Sequence, residues 1–174
     1  MKAFGANLLM LIVFLALCGI ASARDKDGLK FEARLTGAQE VPEQDSPAKA
    51  DIEAQFDLGF TELEVELKVS DNTVGTVTRA HFHCAGPGAN GPIVFGLFDP
   101  GPFPVGNRVD GTLTNADFNN VDCVPTTGRV INNLASLALA MRDGLIYANV
   151  HTTVFPSGEL RGQMIEVEGN NRRR

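Results

Sequence analysis

The sequence predicts an all-β protein: an antiparallel Greek-key sandwich or barrel of about eight strands with one short helix. Three observations carry this prediction. Residues 62–69 (ELEVELKV) alternate charged and apolar side chains without a break, the period-two signature of a half-buried strand. Shorter apolar runs recur along the chain between turns rich in Gly, Pro, Asn and Asp. A single stretch breaks the pattern, with Leu134, Leu137, Ala138, Met141 and Leu145 at helical spacing. No internal repeat or second domain is visible.

Met1-Lys2, the apolar run 8–20 and Ala21-Ser22-Ala23 read as a cleavable export leader over residues 1–23. Leu17 is too large to precede a lipidated cysteine at Cys18, and the apolar run is short for a membrane span. Residues 24–30 form a linker, 31–168 the β domain and 169–174 a disordered basic tail. Within the domain the first strand covers residues 31–37 and the second 50–58. The third is the alternating run 62–69, with Leu63, Val65, Leu67 and Val69 facing inward. Asp71-Asn72 turns the chain into a strand at 77–84. The loop 86–92 is punctuated by Gly and Pro and lacks the ending of a phosphate-binding loop. A strand at 93–98, a proline-rich excursion at 99–104 and a weaker strand at 111–118 follow. Residues 119–128 are irregular around Cys123. The helix is capped by Asn132 or Asn133 and stopped by Gly144. Strands at 145–152 and 159–167 complete the domain.

Cleavage after Ala23 removes 23 of the 174 residues and Lys2 with them, taking the net charge from −6 to −7. That balance, without a basic stripe interleaved with aromatics, excludes nucleic acid as the main partner. No membrane span remains after the leader, so the protein is expected to be secreted or periplasmic. The leader also takes Cys18, leaving Cys84 and Cys123. In an exported protein these two predict one disulfide closing 39 residues, worth about 3–4 kcal/mol in the chain-entropy model. Free thiols in a reducing compartment, or a copper thiolate at Cys84, are the alternatives.

All three histidines fall in two strands. Alternation sets His81 and His83 on one face of 77–84, opposite Ala80, Phe82 and Cys84. In 145–152 it sets His151 with Tyr147 and Asn149, opposite Ile146, Ala148 and Val150. The imidazoles should therefore project from the outer face of the sheet or into a cleft. If the two strands are neighbours, His81, His83 and His151 form a three-nitrogen site suited to copper, with zinc second. Asn149 and Thr152 would supply supporting hydrogen bonds, and Glu159 a carboxylate for an imidazole N–H. Arg161 would brace the last turn by bonding to carbonyls. Alternatively, the histidines bond loop carbonyls and organise the sheet edge. No serine–histidine–acid arrangement is legible.

The motifs FEARLTGAQEVP (31–42), AHFH (80–83) with Gly88, Gly91 and Pro92, and YANVHT (147–152) with PSGELRGQ (156–163) closely resemble the CHRD domain. This module is repeated in the developmental regulator chordin. The resemblance spans about 31–167 and implies an extracytoplasmic β domain with little assigned biochemistry. By analogy with chordin it also suggests an extracellular protein partner. At the site, the order His81, His83, His151, Arg161 is similar to the copper half of copper/zinc superoxide dismutases. The chain departs from that pattern: no histidine is left for a bridging position and no cluster of zinc ligands follows His83. The reading is a secreted, non-catalytic β module binding a transition metal. One alternative is a protein- or matrix-binding module presenting 86–92 and 99–104. The other is a mononuclear copper enzyme of dismutase type.

Overall fold

The computed structural model describes residues 28–98 and 107–167. The expected leader (1–23), residues 24–27 of the linker, the excursion 99–104 and everything beyond residue 167 lie outside that range. Nine strands are described: β1 (Lys30–Thr36), β2 (Lys49–Phe56), β3 (Glu62–Val69), β4 (Val77–Cys84), β5 (Ile93–Phe98), β6 (Arg108–Thr114), β7 (Ile146–Thr152), β8 (Leu160–Gln163) and β9 (Ile165–Val167). Two helices, α1 (Val124–Thr127) and α2 (Leu134–Arg142), lie between β6 and β7.

The strands make one antiparallel sheet in the order β5-β4-β7-β8-β1-β2-β3-β6, with β9 also on β1. The sheet curls into a nearly closed barrel, and an isolated bridge joins Phe95 of β5 to Phe118, just past β6. β4 pairs β7, β8 pairs β1 and β3 pairs β6 across long connections, as expected for a Greek key. The inward rows form the core, with Phe31, Leu35, Phe56, Leu63, Phe82 and Phe95 fully buried and Val109 and Leu113 of β6 partly so. Leu134, Leu137 and Met141 of α2 join this core.

The alternation of β3 behaves as its sequence dictates, with Leu63, Val65, Leu67 and Val69 buried. Three segments differ from expectation. The last strand is split, because the chain changes partner at Met164. Before it β8 lies on β7; after it β9 lies on β1. Met164 itself is fully buried and donates its N–H to the Ile146 carbonyl. β6 begins at Arg108, not 111, since the charged residues Arg108 to Asp110 pair across to Lys68 to Glu66. Arg108 there joins Glu66 and Asp110, which explains how so polar a segment holds a strand. Its far end stops where Thr114 and Asp117 cap a 3-10 turn, Asn115–Asp117. Finally, α1 gives regular form to part of the stretch read as irregular, with Pro125 in its first turn.

α2 starts as the sequence says. The Asn133 side chain accepts from the Ser136 N–H and the Ser136 hydroxyl accepts from the Asn133 N–H. Cys84, the last residue of β4, is joined to Cys123 by a disulfide across 39 residues. A copper thiolate at Cys84 is thereby ruled out.

Candidate metal centre

β4 and β7 are hydrogen-bonded neighbours, with His81 across from Asn149, His83 from Tyr147 and Arg79 from His151. The apolar partners Ala80, Phe82, Cys84, Ile146, Ala148 and Val150 all belong to the core. Every histidine therefore faces outward, as alternation requires. That face is not open, however: His81, His83 and His151 are all buried, and β7 is buried along its whole length. An outer face became a second, polar interior because loops return across it. Residues 86–92 and the turns at 37–43 and 156–158 supply that cover.

The three imidazoles converge. One nitrogen from each lies within 4.8 Å of the others, and the His81 and His151 ring centroids are 4.9 Å apart. His83 Nδ1 lies 2.9 Å from the Gly91 carbonyl oxygen and His151 Nδ1 3.1 Å from that of Pro156. A carbonyl only accepts, so both rings carry their proton on Nδ1 and leave Nε2 as an acceptor. His151 Nε2 accepts from the His81 Nδ1–H at 3.1 Å. His83 Nε2 is buried with no partner among the described residues. The nitrogens that face the centre are thus His81 Nδ1, His83 Nε2 and His151 Nε2, and ligation by His81 Nδ1 requires its proton to leave that nitrogen. Tetrahedral ligation with bonds of about 2.0–2.1 Å spaces ligand nitrogens by about 3.3 Å. The His81–His151 pair already stands near that spacing.

Burial favours the neutral form of two of these rings. Burial pushes His83 down to about 4, and the charges of His151 and Arg161 add to this against the opposing Gly91 hydrogen bond. Burial also lowers His151. A neutral imidazole with an oriented lone pair is the form a metal takes.

The supporting residues are arranged differently from expectation. Asn149 donates to Glu40 Oε1 at 2.6 Å, away from the imidazoles. The Thr152 hydroxyl accepts from the Phe155 N–H and so holds the 152–155 turn. Glu159, fully buried, accepts from the Ser46 hydroxyl at 2.6 Å and from the Val74 N–H. It is therefore not the imidazole acceptor expected of it; main-chain carbonyls fill that role for His83 and His151. Arg161 does bond carbonyls, but those of Gly86 and Ala89 in the covering loop instead of the last turn, together with Asn90 Oδ1.

Sequence reasoning gave no site role to Glu40 or Tyr147. The Tyr147 ring stacks on His83, centroids 4.8 Å apart and 6° from parallel, and the Arg161 guanidinium lies 3.6 Å over the Tyr147 ring. The i, i+2, i+4 spacing of Tyr147, Asn149 and His151 was the signal that placed it there. Glu40 is buried, and burial raises its carboxyl to about 7 against the Asn149 hydrogen bond and the field of Arg161. Two glycines make the cover fit. A Cβ on Gly91 would lie 2.0 Å from the Cys84 carbonyl oxygen. One on Gly158, at φ +135°, would lie 2.7 Å from both Asn149 and Glu40.

No curated protein and no solved structure matches the chain significantly. A family model does, the CHRD domain, over residues 31–164, from the start of β1 to the partner switch at Met164. The match takes in all three histidines, Glu40, Tyr147, Arg161 and the disulfide, and the chain belongs to the CHRD-domain family.

Proposed function

We propose that this chain is an exported, non-catalytic CHRD module that binds a transition metal, copper before zinc, through His81, His83 and His151. The observation that carries the reading is the convergence of three imidazoles, with His83 Nε2 buried and unpartnered among the described residues. An orphaned buried nitrogen is costly unless something fills the position it faces. Three nitrogen donors without a carboxylate suit a borderline-soft ion, and copper(II) exceeds zinc in the general affinity order. Export is supported by the leader-like residues 1–23 and by the Cys84–Cys123 bridge, which persists in oxidising compartments.

The test is metal analysis of the purified protein beside a variant with His81, His83 and His151 all changed to Ala. Roughly one ion per chain is expected in the parent and none in the variant, with copper displacing zinc in competition. Equal metal content in the two proteins overturns the reading.

A further inference from the structure

The deepest cation at the site touches no metal donor. Arg161 is 2 % exposed and lies on the same outer face as the histidines, on the far side of Tyr147 from His83. Burying a guanidinium is expensive, and it persists only where its donors are used. Its bonds all run to one segment: Nη2 to the carbonyls of Gly86 and Ala89, Nη1 to Asn90 Oδ1. Asn90 in turn donates to the Val41 carbonyl, and the Gly91 N–H donates to the Tyr147 hydroxyl. The next group in this loop is the Gly91 carbonyl, which takes the His83 Nδ1 proton.

We infer that Arg161 is a positioning residue for His83, fixing its ring as the Nδ1–H tautomer from two sides at once. From one side the guanidinium anchors the 86–90 segment so that the Gly91 carbonyl stays over Nδ1. From the other it holds the Tyr147 ring flat against the imidazole, which removes the rotation that would carry Nε2 away from His81 and His151. Partners of this kind orient ligands and raise their affinity without touching the ion. The inference rests on the three-histidine reading for its purpose, but tautomer and ring orientation belong to the metal-free protein and are measurable there.

The experiment is nitrogen NMR of histidine-labelled protein without metal, followed by titration with zinc ion, for the parent, Arg161→Met, Arg161→Lys and Asn90→Ala. The parent should show His83 as a single Nδ1–H tautomer with a slowly exchanging proton. Arg161→Met should show a tautomer mixture, faster exchange and zinc affinity lower by about 10- to 100-fold. Lysine carries the charge without the planar fork and should recover only part of the loss. Should Arg161→Met not fold, Asn90→Ala on the exposed loop surface carries the same test through the Nη1 contact. A pure Nδ1–H tautomer in a folded Arg161→Met, or in Asn90→Ala where the former does not fold, overturns the inference. A parent with the pure tautomer but no zinc binding sinks the metal reading while leaving the positioning role standing.

Discussion

Glu40 sits where an ionised carboxylate is disfavoured, against Asn149 and beneath Gly158. Its raised value, about 7 against an ordinary 4.5, fixes the sign of its effect on stability. The native state holds this proton more tightly than the unfolded chain does. Its stabilising contribution is complete below the unfolded value and is lost as the pH rises through about 7. Glu40→Gln removes this dependence. Between pH 4.5 and about pH 8 the unfolding free energy of the variant should gain on the parent by up to about 3 kcal/mol, as urea titrations at several pH values would measure. A constant difference across that range would show that Glu40 ionises freely in the fold. His83 contributes the opposite slope. Its depressed value, about 4, makes native stability fall as the pH drops from its ordinary 6.5 toward 4. The two slopes partly cancel in the parent, so Glu40→Gln should unmask the histidine one.

Among the elements, β4 carries both the core and the candidate metal centre. Phe82 points into the barrel, His81 and His83 point out, and Cys84 ties its end to Cys123. Replacing both cysteines with Ser should cost about 3–4 kcal/mol, read as a lower denaturant midpoint with little change in native far-ultraviolet circular dichroism. Since Cys84 adjoins His83, the same variant should also bind zinc more weakly than the parent. The strands were legible where one face meets the core and the other meets water, as in β3. In β4 and β7 the sequence also separated the two faces correctly, because Phe82 and Val150 leave no doubt which side is apolar. It did not reveal that the second face is covered. That cover depends on Arg161 reaching loop carbonyls more than 70 positions earlier, and no local periodicity encodes such a contact. The assignment of Glu159 failed for the same reason: Ser46 and Val74, distant in the chain, claim its carboxylate. The split between β8 and β9 was hidden because Met164 continues the inward alternation of Leu160 while the pairing partner changes.

On the scale of the whole molecule, the sheet order explains why so small a set of motifs identifies the domain. The 31–42 motif lies on β1 and the turn after it, AHFH on β4, and the YANVHT and PSGELRGQ runs on β7 and β8. Three of these four strands, β4, β7 and β8, are consecutive in the sheet, and β1 closes the row. One barrel therefore holds two interiors back to back, an apolar one inside and a polar one under the loops. The row also joins the two ends of the sequence, since Thr36 near the start pairs with Arg161 near the finish. A polypeptide emerging N-terminus first can pair β1 with β2 and β3 early, yet one flank of β1 stays bare until β8 arrives. Closure is thus reserved for the final stretch of synthesis. A chain ending at Ser157 should accordingly remain open to protease and show no cooperative melt, however well its first three strands associate.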